Sequence, residues 1–420
     1  MEYDKINLGA YNLHFIKTER FKTTTISVNF REKIEKENIT KRNFLFELLT
    51  TTSLKYNTER LLQRELENLY SLSLSSSSIK FGNIINNYID IKFLNNKYSD
   101  EDLLSNSINL LFELIFNPNV DEIGFNEKVF NETKDIIAIS INSLYEKPAT
   151  YANIRALEVM DENDPASYNM FGYKSDLDKI DRKNLYEYYK EVLKKDIIDI
   201  FIIGDVDKNQ VIDLFKEKFK INTMKMDKIT PYITYSSIDK CISYKESIRG
   251  LKQAKLSVIC KIINITDFER RYVMPIYASI LGGSANSKLF MNVREKMSLA
   301  YTINASTKSP NSILMINAGI DKENYEKVVE IIKKEIKSMK KVTDEEINSA
   351  KSEIISTLDS LFDNPAGIIN YYFGIEVFNS DDIDVKKESY MKINKKDIIN
   401  FSNKIKIATT YMLEGGNNEE

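Results

Sequence analysis

The run Thr25-Ile26-Ser27-Val28-Asn29-Phe30 alternates polar and apolar side chains, and 230 residues beyond Ile26–Phe30 the run Leu256-Ser257-Val258-Ile259-Cys260 reads as a matching strand. Strict alternation marks a half-buried β-strand. Outward from the first run, a helical stretch spans Arg42 to Thr51. A second spans about Thr58 to Tyr70, with Leu61, Leu62, Leu66 and Leu69 at helical spacing. Two alternating strands follow, Leu72–Phe81 and Tyr88–Leu94. Ser99-Asp100-Glu101 then opens a long helix with an acidic first turn, and another helix covers roughly Phe125 to Leu144. Outward from the second run the order repeats. Arg271–Leu281 and Ser287–Ser298 read as helices, Tyr301–Ser306 and Ile313–Gly319 as strands, and Asn324–Met339 as a helix with a Lys-rich outer face. Thr343 reads as the N-cap of one more helix. A period of about 225 residues is far too long for a solenoid. The pattern therefore predicts an α+β protein of two tandem homologous α/β domains, each a mixed sheet with helices on one face.

Between the copies, Asp181–Leu193 reads as a helix, Ile197–Ile203 as a buried strand, Gly204-Asp205-Val206-Asp207 as a turn and Asn209–Phe219 as a helix. The following stretch is rich in Lys, Thr and Ser and holds Pro231, which reads as a connector. The expected domains are 1–220 and 248–420, with a linker at 221–247.

Composition narrows the chemistry. The chain has 420 residues, 59 Lys+Arg against 62 Asp+Glu, two cysteines and one histidine, His14. The near balance of charge argues against a nucleic-acid or anionic-membrane surface. Cys241 and Cys260 cannot make a disulfide framework or a Cys-rich zinc knuckle. A mononuclear catalytic zinc usually draws two or three histidines from its chain, so one histidine removes most zinc chemistry. The charged N-terminus lacks an apolar signal segment and the apolar runs are too short for a membrane helix, so a cytoplasmic location is expected.

Three motifs carry a resemblance that covers essentially the whole chain. They are Gly172-Tyr173-Lys174-Ser175-Asp176-Leu177 with the helix after it, Ile203-Gly204-Asp205-Val206-Asp207, and Leu281-Gly282-Gly283-Ser284 followed by Ser287-Lys288-Leu289-Phe290, Val293-Arg294-Glu295-Lys296 and Leu299-Ala300-Tyr301. Together they resemble the insulinase/pitrilysin-type metallopeptidases, the inverzincins. The resemblance implies two domains facing each other around a substrate chamber. In active members a helix carries His-x-x-Glu-His, whose histidines bind zinc and whose Glu activates water. Counting back from Leu66-Glu67-Asn68 puts that motif at Phe44-Leu45-Phe46-Glu47-Leu48, where only Glu47 survives. The third ligand aligns with Ser140. The resemblance thus implies no metal and no cofactor in this chain, and no catalysis by it alone.

The second-domain signature is retained. The resemblance gives Arg294 and Tyr301 a substrate-binding role: a guanidinium fork and a phenol reaching a peptide carbonyl at a zinc held elsewhere. The family includes bacterial heterodimers that divide the zinc motif and the Arg/Tyr pair between subunits. The implied partner is therefore a subunit with an intact His-x-x-Glu-His, which alone would hold zinc, together with a peptide or protein substrate. Within the family the chain looks most like the YfmF-type proteins associated with 5-aminopentanol modification of elongation factor P. A scaffold or peptide-binding protein with no part in proteolysis is the alternative. Leu72–Ser78 lies where family members add a substrate strand, and also reads as a plain polar edge. His14 reads as a core or surface imidazole, and Gly282-Gly283-Ser284 as a turn linking helices rather than a phosphate loop.

Overall fold

The computed structural model describes residues 1–219, 221, 228–238 and 240–416. Positions 222–227 and 239 of the expected linker, and the last four residues of the second domain, lie outside the described residues. The chain divides into two compact units. Unit 1 comprises Met1–Ser143, Asn169–Thr230 and Asn364–Asn370, and unit 2 comprises Leu144–Tyr168, Pro231–Asp363 and Tyr371–Glu420.

Unit 1 is built on six strands, β1 (Glu2–Asn7), β2 (Asn12–Lys17), β3 (Thr23–Lys33), β4 (Ser73–Phe81), β5 (Ile84–Leu94) and β6 (Ile197–Gly204). Their order in the sheet is β1-β2-β6-β3-β5-β4. Unit 2 has five strands, β7 (Ile242–Ile248), β8 (Ala254–Ile262), β9 (Ala300–Lys308), β10 (Ile313–Ile320) and β11 (Ile405–Gly415), in the order β7-β11-β8-β10-β9. The pair β2/β6 is parallel and β6/β3, β3/β5 and β5/β4 are antiparallel; β7/β11, β11/β8, β8/β10 and β10/β9 repeat those senses in turn. The repeat read from the sequence is therefore a repeat of topology.

The two faces of the first sheet differ in character, as period-two strands allow. Ile26, Val28 and Phe30 point into a core shared with Leu13, Phe15, Ile89, Ile200 and Ile202, beneath helices α1 (Ile39–Leu49), α2 (Glu59–Asn68), α3 (Leu103–Phe116) and α4 (Glu127–Asn142). The other face carries a buried polar network. Asp199 accepts from Asn12 Nδ2 at 2.9 Å and Arg31 Nε at 2.9 Å, and lies 3.1 Å from His14 Nε2. His14 is fully buried, stacks on Phe201 with ring centroids 4.2 Å apart, and shares a hydrogen bond of 2.8 Å between its Nδ1 and Tyr3 Oη. It is a satisfied core imidazole.

Several boundaries move from their expected places. β7 lies inside the expected linker. It pairs with β11 at the edge of its sheet, and its pattern of mostly exposed residues hides it from any search for apolar alternation. Residues 144–168 pack in unit 2 rather than with the first domain. Their helix α5 (Pro148–Met160) buries Tyr151, Ala152, Ala156 and Leu157. It sits against β8 and β11 on the face that carries Ser257, whose Oγ donates to Asn153 Oδ1 at 2.8 Å. Asp102 caps α3, accepting from Ser105 N at 3.1 Å, so Ser99-Asp100-Glu101 precedes the helix instead of forming its first turn. Thr343 and Glu346 form the expected N-terminus as a reciprocal capping box. Among the described residues no helix is long and apolar enough to cross a membrane.

Candidate functional site

The degenerate metal motif lies on α1. Phe44 and Leu48 face the core and are buried, while Glu47 is half-buried. The Phe44 ring sits 4.8 Å from that of Phe130 on α4, the helix that also carries Ser140. Where the family pattern asks for imidazole nitrogens, the two helices meet through hydrocarbon. Carbon offers a cation no lone pair, and one hydroxyl and one carboxylate do not make a zinc donor set. Among the described residues no cluster of three or more His, Cys, Asp or Glu is placed to hold a metal. The residues present do not fit zinc.

The Arg294/Tyr301 segment is built differently. The helical residues Ser279–Gly283 end against β9, where a Cβ on Gly282 would lie 2.6 Å from the Ala305 backbone nitrogen. Only glycine permits that approach, so Gly282 adds close packing against β9 to the link between the two helical segments. The following helical segment, Phe290–Glu295, stops three residues before the expected Ser298. Ser298 adopts φ +51°, its N–H donates to the Arg294 carbonyl at 3.0 Å, and the Leu299 N–H donates to the Val293 carbonyl at 3.0 Å. This is a left-handed helix cap whose paired bonds fix where the chain enters β9. Val293 and Leu299 are buried beneath it, which leaves Arg294 exposed. Its guanidinium carbon lies 4.7 Å from the Phe290 ring, and its Nε is 3.7 Å from Glu295 Oε1. Both contacts are on the surface and hold it weakly.

Tyr301 is presented by a β-bulge. In the β9/β10 register Thr302 pairs with Gly319 and Ala300 with Ile320, so Tyr301 is the extra residue with no partner opposite. The bulge puts Tyr301 and Thr302 both on the exposed side between buried Ala300 and Ile303. β9 is the outer strand of its sheet. Tyr301 is 58% exposed, and its phenol donates to Asp321 Oδ1 at 3.3 Å. Asp321, just after β10, was not foreseen from the sequence. The bulge had a signal there: apolar residues at 300, 303 and 305 break a period of two. Arg294 and Tyr301 thus stand on one structural device, a capped helix leading into a bulged edge strand. Chemically the pair offers a permanent cation and a neutral donor, suited to a carbonyl or an anion.

Residues 179–354 match the family described as Peptidase M16 inactive domain. The chain is 29% identical to the probable inactive metalloprotease YmfF of Bacillus subtilis (strain 168), over 97% of this chain and 96% of that protein. Among solved structures, a conserved protein from Enterococcus faecalis V583 superposes with a TM-score of 0.91 at 25% identity, covering all of both chains. A peptidase M16 inactive domain from Pseudomonas fluorescens gives a TM-score of 0.77 at 12% identity, again over the whole of both, and so shares the fold. Residues 179–354 thus resemble an M16 inactive domain, and along nearly its whole length the chain is similar to a probable inactive metalloprotease. The curated relative that it matches end to end carries the name YmfF, where the sequence reading had YfmF.

Proposed function

We propose that the chain is the zinc-less, non-catalytic subunit of a heterodimeric M16 peptidase. It supplies Arg294 and Tyr301 to a peptide bound at the zinc of a partner with an intact His-x-x-Glu-His. The observation that carries this reading is the contrast between the two sites. At Phe44 and Leu48 the donors have been replaced by buried hydrocarbon, whereas Arg294 and Tyr301 are both present and exposed. A polar pair on a surface has no packing reason to be built into a cap and a bulge. In the proposed role the guanidinium holds the substrate carbonyl, and the phenol exchanges its bond to Asp321 for one to the developing oxyanion.

The test is reconstitution. The chain is mixed with a His-x-x-Glu-His homologue from the same cell and cleavage of a quenched fluorescent peptide is followed. Arg294→Ala and Tyr301→Phe should each lower kcat/KM of the pair by about 10²–10³-fold, the usual cost of an oxyanion donor. Undiminished cleavage by the partner alone, or by the pair carrying Arg294→Ala, would sink the proposal. The sequence resemblance also suggests a role in 5-aminopentanol modification of elongation factor P. Mass spectrometry of that factor from cells lacking this chain is the corresponding readout. A second reading, a peptide-binding protein without any part in proteolysis, is favoured by the unpaired edge of β4.

A further inference from the structure

The sheet of unit 2 lacks a strand that its counterpart has. The orders β2-β6-β3-β5-β4 and β7-β11-β8-β10-β9 match, and unit 1 adds β1 outside β2. β1 runs antiparallel to β2, with Tyr3 opposite Ile16, Asp4 opposite Phe15 and Lys5 opposite His14. On β7, the counterpart of β2, the backbone of residues 242–247 bonds only to β11 among the described residues. The side chains repeat the match. His14 lies opposite Phe201, and Phe201 opposite Ser27. Tyr244 lies opposite Tyr411, and Tyr411 opposite Ser257, 230 residues after Ser27. In unit 1 the rings of Tyr3, His14 and Phe201 stack in a row, with interplanar angles of 20° and 13°. In unit 2 Tyr244 stacks on buried Tyr411 at 15°, and among the described residues no third ring follows. Tyr244 is left 44% exposed.

The same offset carries β1 onto residues 232–237, which lie elsewhere. The Ile233 N–H donates to the Pro310 carbonyl at 2.8 Å, Tyr235 bridges to Ile263, and the Tyr235 phenol donates to Asp164 Oδ2 at 2.7 Å. The chain's own counterpart of β1 is thus tied away from β7. The uncovered edge is basic. Lys245 and Arg249 are exposed, and neither has a carboxylate partner among the described residues. Lys245 Nζ rests 4.3 Å from the centre of the Tyr325 ring. A lysine on an edge strand can serve merely to repel other strands. An incomplete aromatic stack beside it does not serve that end. We propose that β7 is a strand acceptor for another protein. An extended segment adds to it antiparallel, as β1 adds to β2. It brings an aromatic ring, opposite Glu246, onto Tyr244, and a carboxylate, opposite Lys245, to that ammonium. Tyr3 and Asp4 hold the equivalent places in unit 1. Neither Arg294 nor Tyr301 takes part, and binding rather than cleavage is the readout.

The probe is a fluorescein-labelled peptide, Thr-Thr-Glu-Tyr-Asp-Thr-Thr, followed by anisotropy with the full chain. Replacing its Tyr by Ser should weaken binding about twofold to tenfold, the usual value of an aromatic pair. N-methylation throughout should abolish binding. Tyr244→Ser, at an exposed position, should weaken the Tyr peptide and leave the Ser peptide unchanged. Lys245→Glu should weaken the acidic peptide, and a peptide with Lys for both Glu and Asp should bind Lys245→Glu more tightly than it binds the wild-type chain. That exchange decides the matter if Tyr244→Ser unfolds. Binding indifferent to both Tyr244→Ser and Lys245→Glu, binding that survives N-methylation, or no binding at all would overturn the proposal. So would a dimer of the chain alone that the peptide dissociates, since the occupant of β7 would then be a second copy.

Discussion

Asp199 and Tyr301 make opposite uses of a polar side chain. Asp199 is fully buried. Burial pushes its carboxyl upward, but the Arg31 charge and the bonds from His14 and Asn12 outweigh that and hold it well below the usual carboxylate range. A depressed folded value means that the stabilisation is complete above the unfolded value of about 3.9 and is lost as the pH falls below it. Asp199→Asn should therefore cost about 3–5 kcal/mol at neutral pH, because Arg31 is left without its buried counter-charge. The gap in urea midpoint between wild type and variant should begin to narrow below about pH 4. A gap independent of pH would contradict this account. Tyr301 is exposed, and its bond to Asp321 spans 3.3 Å. Tyr301→Phe should shift stability by under about 0.5 kcal/mol in thermal melts. Any loss of activity in the reconstituted pair is then chemical rather than structural.

At the scale of elements, backbone groups decide more than side-chain polarity. Pro275 lies in the helical stretch Glu269–Gly283 and has no N–H to offer the carbonyl of Arg271, four residues earlier. The Tyr390 phenol donates to that carbonyl at 3.1 Å, from the helix Ile383–Lys392. Tyr390→Phe removes that donor and should cost about 0.5–1.5 kcal/mol, read as a fall in melting temperature. Gly282→Ala drives a methyl against Ala305, whose Cβ would lie 2.8 Å away, and should cost about 1–3 kcal/mol by overpacking. It should also impair the reconstituted pair beyond its loss of stability, since the same packing sets the Arg294 helix on β9. The strands and amphipathic helices of this scale were legible because their periods differ. The bulge, the cap at Ser298 and the edge strand β7 were not, since each is defined by a bond to a segment distant in sequence or by a single residue's φ. One clue existed for β7: the offset of 230 that relates the two opening runs also carries Asn12–Lys17, which is β2, onto residues 242–247.

At the scale of the molecule, chain order and packing diverge. α5 follows the last long helix of the first copy in sequence, yet it covers β8 and β11 of unit 2. There it brings Tyr151 and Arg155 to Glu246 on β7, with Arg155 Nε 3.1 Å from Glu246 Oε2. A fragment beginning at residue 231 lacks this helix and exposes the sheet face it covers. Such a fragment should show no cooperative melt, and a peptide spanning residues 144–168 added in trans should restore one. Cooperative unfolding without the peptide would show that α5 is dispensable to unit 2.

The sequence by itself determined the duplication, the α+β class and the absence of a zinc donor set at Phe44, Leu48 and Ser140. These follow from local periodicity and from which atoms a side chain possesses, neither of which depends on distant partners. Tertiary structure alone decided that residues 144–168 belong to unit 2, that Tyr301 stands on a bulge with Asp321 as its acceptor, and that residues 232–237 lie against Ile263 and Pro310 rather than on β7. Each of these is a contact between segments whose meeting is set by the packing of whole sheets and helices, and amphipathic periodicity says which face is buried without saying against what.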